Sequence, residues 1–325
     1  MSDHPDGQVG WLGTGRMGSV LIRRLLAAGL DVAVYNRTKA RAAPLAADGA
    51  KVVDQATDLA AASVVFVMVG TSQDLIDALL GPAGLMSGPR APEIVIDLST
   101  VSVAASRQVR QQLAQRGTAF LAAPVMGNPR VAEAGRLTFA VSGSPAAAEQ
   151  ARQYLDLLGA GASYVGDGEI ARTVKLCHNL FLGVVIQSLA EVTVLAQKAG
   201  VTRQAFLACI NDSVMGSTFT RYKSPALVNL DYHATFTSVL LRKDFDLGLA
   251  AAREHEVPMP VAGVVHQIVQ SLVGNGFGEQ DFATVLELQA RAAGLELESE
   301  NANVDDGLGP VVATGETAGE AVSTR

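Results

Sequence analysis

Along the first half of the chain, short runs of apolar, largely β-branched residues alternate with segments whose apolar positions recur about every 3.6 residues. The runs lie at 9–12, 32–35, 64–69 and 94–98, and each is apolar on consecutive positions apart from Asp97. Strands covered on both faces need that pattern, so they are expected to form a parallel sheet buried between helices. Helices are expected between them at 17–28, 39–47, 75–80 and 103–115. Gly29, Gly49 and Gly117 follow three of these segments, where a left-handed C-cap costs least. Alternation of this kind implies right-handed crossovers and a doubly wound sheet. Two further strands are expected at 119–122 and 137–142, then a helix at 145–158.

After Val165 the pattern changes. From Glu169 to Gly200 a single helical periodicity runs on, with no Pro and only Gly183 inside it. At 1.5 Å per residue that is ~45 Å, too long to cross one small domain, so this helix should link two domains or form part of a subunit interface. Residues 201–293 read as wholly helical, with breaks at 212–217, at Pro225, at 258–260 and at 274–278. Beyond Gly294 the apolar periodicity stops and the chain reads as a disordered tail.

Composition narrows the function classes. Of 325 residues, 49% are apolar and 18% charged, ample for the cores of two domains. The net charge of −7 argues against a general nucleic-acid binder. Residues 295–325 carry seven of the 32 acids and one of the 25 bases, so the remaining chain is almost neutral. Cys177 and Cys209 make neither a disulfide framework nor a metal-ligand spacing. The first residues lack the basic and apolar regions of a signal peptide. The longest uninterrupted apolar runs, 63–70 and 180–186, fall short of the ~18 residues of a membrane helix. A soluble, cytoplasmic protein is expected, with neither a nucleic acid nor a membrane as partner.

The first chemistry lies just after the first strand. Gly13-Thr14-Gly15-Arg16-Met17-Gly18 fits G-x-G-x-x-G between a strand and a helix. There Gly13 would make the tight turn, Gly15 would let backbone approach a pyrophosphate, and Gly18 would permit close packing of helix on strand. The helix N-terminus then offers free N–H groups and the positive end of its dipole to phosphates. An ordinary glycine-rich turn has the same letters; the strand–turn–helix setting favours a dinucleotide. About 20 residues on, an NAD site would place a carboxylate on the ribose. The chain instead reads Asn36-Arg37-Thr38, and Arg37 can pair with a 2′-phosphate, so NADP is expected, with NADPH preferred over NADH. Ligands of such sheets lie beyond the carboxyl ends of the strands, which brings Ser99, Thr100 and the turn Met68-Val69-Gly70 alongside the cofactor.

Four separated motifs, with a fifth further on, carry a resemblance to a known family. They are Gly13 to Gly18; Asp97-Leu98-Ser99-Thr100; Ala123-Pro124-Val125-Met126-Gly127-Asn128 with Ala132 and Gly135; and Gly168 through Lys175 to Asn179. Phe236 followed by Lys243-Asp244 is the fifth. Over about residues 8–293 the chain resembles the β-hydroxyacid dehydrogenases, which include 3-hydroxyisobutyrate dehydrogenases and glyoxylate/succinic semialdehyde reductases. The resemblance implies an α/β Rossmann dinucleotide-binding domain joined by a long helix to an all-α C-terminal domain. The expected boundaries are 1–167 for the NADP-binding domain and 168–200 for the interdomain helix. The helical domain would span 201–294 and the acidic tail 295–325. A homodimer or homotetramer is expected.

By the same resemblance Lys175 matches the catalytic lysine. Asn179, one helical turn on, shares its face. When a carbonyl gains hydride, its oxygen acquires negative charge that an ammonium can stabilise and protonate. In oxidation a neutral lysine takes the proton, which requires a pKa lowered by burial or positive charge. Thr100 and the backbone at Gly127 match a cradle for the substrate carboxylate. Phe236 and Asp244 match further active-site positions, with Lys243 near the nicotinamide end. Two residues depart from the family pattern: Met126 stands where a serine is usual, and His178 where an asparagine is usual. Asn128 could supply the donor that Met126 lacks. The expected activity is interconversion of a small β-hydroxy acid, or related alcohol, with its aldehyde or ketone. Imine reduction on the same scaffold, in enzymes that generally lack the lysine, and a non-catalytic dinucleotide-binding protein are the alternatives.

Overall fold

The computed structural model describes residues 7–309. The strands are β1 (Gln8–Leu12), β2 (Asp31–Tyr35), β3 (Lys51–Val52), β4 (Val64–Val67), β5 (Ile94–Asp97), β6 (Ala119–Ala122), β7 (Val125–Met126), β8 (Thr138–Ser142) and β9 (Gly161–Gly166). They form one sheet in the order β3-β2-β1-β4-β5-β6-β8-β7, with β9 beside β8. Neighbours from β3 to β6 run parallel, as the apolar runs implied. Strand β8 then runs antiparallel to β6 and β7, so the sheet is mixed. The chain order reverses between β1 and β4, and ligands of such sheets bind at that switch point. Strands β3, β7 and β9 carry no apolar run that periodicity could report; two of them have only two residues.

The first helices are α1 (Arg16–Ala27), α2 (Lys39–Ala47), α3 (Ser72–Leu80), α4 (Val103–Ala114), α5 (Pro129–Glu133) and α6 (Pro145–Leu158). Helices α1, α2, α5 and α6 cover one face of the sheet, where Trp11 stacks on Phe66 with ring centroids 5.2 Å apart. Helices α3 and α4, with a 3-10 turn at Ala56–Ala61, cover the other. Gly29, Gly49 and Gly117 take the left-handed backbone expected of them.

The 29-residue α7 (Ile170–Lys198) leaves this domain and becomes the spine of a second one. Around it pack α8 (Arg203–Asp212), α9 (Thr218–Asn229), α10 (Ser238–Glu254), α11 (Pro260–Gly274) and α12 (Val285–Ala292) over their own apolar core. Gly183 has a packing reason: a Cβ there would stand 2.3 Å from the ring of Phe245 on α10. By length and composition α7 could cross a membrane, a feature that counting uninterrupted apolar runs misses. Half of its most apolar stretch is buried within the protein, and its inward positions include Arg172, Lys175, Asn179 and Gln187.

Two expectations need correction. The break at Pro225 does not occur, because α9 runs through it. Buried Thr220, Ser224, Leu227 and Val228 anchor the helix on both sides of the proline, so packing offsets the lost hydrogen bond. The tail is also not free from residue 295. Leu295, Leu297, Ala302 and Val304 pack on the helical core, and Arg130 and Arg136 of the first domain bind Asp306 and the Gly307 carbonyl. Four apolar residues among acids are too sparse for periodicity to show. The remainder of the expected tail, 310–325, lies outside the described residues, as do residues 1–6.

Glu300 illustrates what that segment does. Its carboxylate accepts from the N–H groups of Arg203 at 2.7 Å and Gln204 at 2.9 Å, closing the N-terminus of α8 with a negative charge. Glu300→Ala is expected to cost about 0.5–2 kcal/mol, the usual range for losing a helix cap. Chemical denaturation checks it; an unchanged midpoint would show that Thr202, which also caps α8, suffices.

Candidate functional site

A cavity of about 880 Å³ lies between the carboxyl ends of the parallel strands and the helical domain. The glycine-rich turn forms one side. Gly13 has φ +101°, and a Cβ there would meet the Met68 carbonyl oxygen at 2.1 Å. A Cβ on Gly18 would meet the Gly13 carbonyl oxygen at 2.4 Å. Both positions therefore exclude any side chain. Gly15 differs: among the described residues nothing lies within 4 Å of its Cβ position, so its surroundings there are open. Gly15 is also the N-cap of α1, which has no side-chain cap and no acid in its first turn. Beside it the Thr14 hydroxyl is buried without a hydrogen-bond partner among the described residues. Uncapped N–H groups, an unpartnered hydroxyl and bare backbone together suit a pyrophosphate.

A second cavity, of about 500 Å³, continues from this turn and is lined by Asn36, Arg37 and Thr38 at the end of β2. Asn36 Oδ1 accepts from the Thr14 N–H at 3.0 Å, fixing the turn to the strand end. Arg37 is exposed and pairs at 3.3 Å with Asp74 of α3. No carboxylate adjoins Arg37 in the sequence, but α3 brings Asp74, and Asp77 as well, to this cavity from a distant part of the chain. Arg41, one turn beyond Arg37 on α2, lines both cavities and was missed, although its i+4 spacing was visible.

Opposite the turn stands a buried polar chain on α7 and α10. Lys175 Nζ donates to Asn179 Oδ1 at 2.9 Å, and Asn179 Nδ2 donates to Asp244 Oδ2. All three residues are buried and line the large cavity. Burial pushes the Lys175 pKa down to about 8; Asp244 opposes that shift and Lys243 adds to it. Lys243 donates to the Thr100 carbonyl at 3.1 Å and the Gly70 carbonyl at 3.3 Å, tying α10 to the strand ends. Its Nζ also lies 3.4 Å from Asp244 Oδ1, an oxygen that makes no aligned hydrogen bond among the described residues.

The other expected residues divide. Thr14, Gly15, Arg16, Met17, Gly18, Met68, Val69, Gly70, Thr100, Gly127, Asn128 and Phe236 all line the large cavity. Met126 does not: alternation along β7 turns it away, onto a separate cavity that also holds His178. The Asn128 side chain is only partly engaged, and one of its two amide N–H groups is left to replace a missing donor. Its Oδ1 caps α5 through Val131 N at 3.0 Å, and its Nδ2 points to Thr235 Oγ1 at 3.4 Å.

Two supporting groups were not foreseen. Arg172, fully buried one turn before Lys175, donates to the Ser99 carbonyl at 2.6 Å, to Ser106 Oγ at 3.1 Å and to Asp97. Buried Asp281 pairs with Lys223 at 2.6 Å and accepts from the N–H groups of Thr235 at 3.0 Å and Phe236 at 3.2 Å, fixing the loop that faces Gly127 and Asn128. A charged residue inside the apolar pattern of α7 was the only sign of the first; the second joins residues too far apart to leave a local sign.

Comparison with known proteins adds a separate line of evidence. Residues 8–166 match the model of the NAD binding domain of 6-phosphogluconate dehydrogenase. Residues 169–289 match that of the NAD-binding domain of NADP-dependent 3-hydroxyisobutyrate dehydrogenase. The chloroplastic glyoxylate/succinic semialdehyde reductase 2 of Arabidopsis thaliana is 30% identical over 289 residues, covering 89% of this chain and 81% of that protein. The 2-(hydroxymethyl)glutarate dehydrogenase of Eubacterium barkeri is 30% identical over 292 residues, covering 89% and 97%. Among solved structures, 3-hydroxyisobutyrate dehydrogenase from Salmonella typhimurium superposes with a TM-score of 0.77 at 26% identity, covering 87% of this chain and all of that one.

Proposed function

The chain belongs to the β-hydroxyacid dehydrogenase family of NAD(P)-dependent oxidoreductases acting on CH–OH groups, and we propose that it interconverts a β-hydroxy acid, or related alcohol, with its aldehyde or ketone using Lys175 as general acid and base. The observation that carries this reading is the buried Lys175–Asn179–Asp244 chain facing the glycine-rich turn across one cavity.

The turn, with Thr14, Gly15 and the first N–H groups of α1, would hold the pyrophosphate. When bound, the nicotinamide supplies or accepts the hydride. Lys175 then has one task at one atom. In reduction its ammonium donates a hydrogen bond to the carbonyl oxygen and passes it a proton as charge develops there. In oxidation its neutral amine takes the hydroxyl proton, which a pKa near 8 makes accessible. Asn179 Oδ1 aims the amine, and Asp244, through the Asn179 amide, fixes which way that oxygen faces. Thr100 and the backbone at Gly127 lie where a substrate carboxylate would be met. The reading is tested by following NADPH and NADH absorbance over a panel of aldehydes, ketones and hydroxy acids. Turnover of none of them would remove it.

Arg37 and Arg41 support a preference for NADPH. The Arg37–Asp74 contact is an exposed pair, worth little against a phosphate of about two charges. Removing a charge-assisted contact costs about 1.5–3 kcal/mol, or roughly ten- to a hundredfold in affinity. Arg37→Ala should therefore shrink the ratio of the NADH and NADPH dissociation constants by that factor, read by fluorescence titration. Equal constants for the two cofactors in the unaltered protein would contradict the preference.

A further inference from the structure

Behind Lys175 lies the cavity that holds Met126 and His178. Its volume is about 480 Å³, within the range of small-molecule pockets. It shares Gly127, Asn128, Lys175, Asn179 and Phe236 with the cofactor cleft, so Lys175 stands at the junction of the two. Past those residues the walls are Met126, Val131, Leu182, Phe219, Tyr222 and Phe282. Phe219 lies parallel to Phe282 with centroids 6.3 Å apart and meets Tyr222 edge-on at 5.4 Å. Two polar side chains on these walls are engaged elsewhere: Asn128 caps α5 through its Oδ1, and the Thr220 hydroxyl donates to the Ser217 carbonyl at 3.0 Å. Arg136 also lines the arm, its guanidinium donating to the Gly307 and Gly309 carbonyls, as do Thr138, Thr218 and the phenol of Tyr222, so a group entering the arm would meet mostly, not only, carbon and sulfur.

His178 also lines the arm, and its hydrogen bonding fixes its state. Asn179 must turn its oxygen toward Lys175 and its nitrogen toward Asp244. That oxygen lies 2.8 Å from His178 Nδ1, so Nδ1 carries the ring proton and Nε2 is left as an acceptor. Burial and the Lys175 charge both lower the His178 pKa, which keeps the ring neutral. The arm therefore places no positive charge of its own from His178 against a substrate.

We infer that the substrate's reacting carbon carries a bulky apolar substituent, of aryl or branched-alkyl chemistry, which fills this arm while its carbonyl or hydroxyl oxygen meets Lys175. The inference rests on the carbonyl-reductase reading and narrows its substrate class. Full burial of a substituent that size favours it by roughly ten- to a hundredfold over a substrate that leaves the arm empty.

The experiment compares kcat/KM for two aldehydes with NADPH: succinic semialdehyde, which is short and charged, and 3-phenylpropanal. The expected result is a preference for the aryl aldehyde of at least tenfold. Leu182→Trp, which narrows the arm, should reduce that preference by tenfold or more; Val185→Phe serves if that variant does not fold, since Val185 lines the same cavity. Equal efficiencies, or a preference for the short aldehyde, overturn the inference and leave the reductase reading intact. The short aldehyde would also win if a second copy of the chain, seated on exposed Phe181 and Met215, sealed the arm. An aryl preference that survives both narrowing substitutions overturns it too. Turnover of neither these aldehydes nor any carbonyl in the wider panel overturns the reductase reading and this inference together.

Discussion

Lys175→Ala is expected to lower the turnover number for carbonyl reduction by about a hundred- to ten-thousand-fold, the usual range for losing a positioned acid or base. NADPH affinity should stay within a few-fold of the original, because Lys175 faces the glycine-rich turn from the far wall of the cleft. The geometry sharpens the expectation. A neighbouring cation, Lys243, is held by the Thr100 and Gly70 carbonyls and is not free to take over. His178 is held by Asn179 as a neutral ring. Neither can readily replace the lost proton donor. Removing a buried amine also removes a desolvated group, so the fold should tolerate the change. A folded variant with turnover within twofold of the original would show that the proton comes from elsewhere.

Asp97→Ala should lower the melting temperature by on the order of 10 °C. Asp97 and Arg172 form an ion pair with both side chains wholly buried, and Arg172 also donates to Ser99 and Ser106. Removing one partner leaves a guanidinium in the interior without its counter-charge, which costs about 3–5 kcal/mol. For a domain of about 150–250 residues each kcal/mol is worth roughly 2–4 °C. Replacing both residues by apolar ones, as in Asp97→Leu with Arg172→Met, should recover much of the loss, since a buried pair gains little net energy over packed carbon. The pair ties the first turn of α7 to the end of β5, so the single variant should also lose activity as Lys175 loses its anchorage. Equal melting temperatures for Asp97→Ala and the unaltered protein would show that the other hydrogen bonds of Arg172 hold the joint alone.

These two sites differ in how far the sequence disclosed them. Lys175 and Asn179 are four residues apart on one helix, and their contact follows from helical geometry. The glycine-rich turn was equally local, because strand, turn and helix adjoin in the chain. Asp97 and Arg172 are 75 residues apart, and only the fold brings them together. The same reason hid Asp74 beside Arg37 and Asp281 beneath Phe236. Periodicity reports which face of an element is apolar, not what another element places against it. It also could not tell that Met126 turns away from the cofactor cleft, because β7 has only two residues to set an alternation. The stretch from 295 to 309 was misread for a related reason: a segment held by scattered contacts with two domains has no period to detect.

The central claim is that Lys175 exchanges the proton, and the pH dependence of kcat/KM in both directions tests it most directly. Reduction needs the ammonium, and burial sets its pKa to about 8. The reduction profile should therefore be level at lower pH and fall by about tenfold per pH unit above that value. Oxidation needs the neutral amine, so its profile should rise toward that pH and level off beyond it. Lys175→Gln should abolish both limbs along with most of the rate. A wild-type reduction rate that stays level to pH 10, or a limb near pH 8 that persists in Lys175→Gln, would contradict the account.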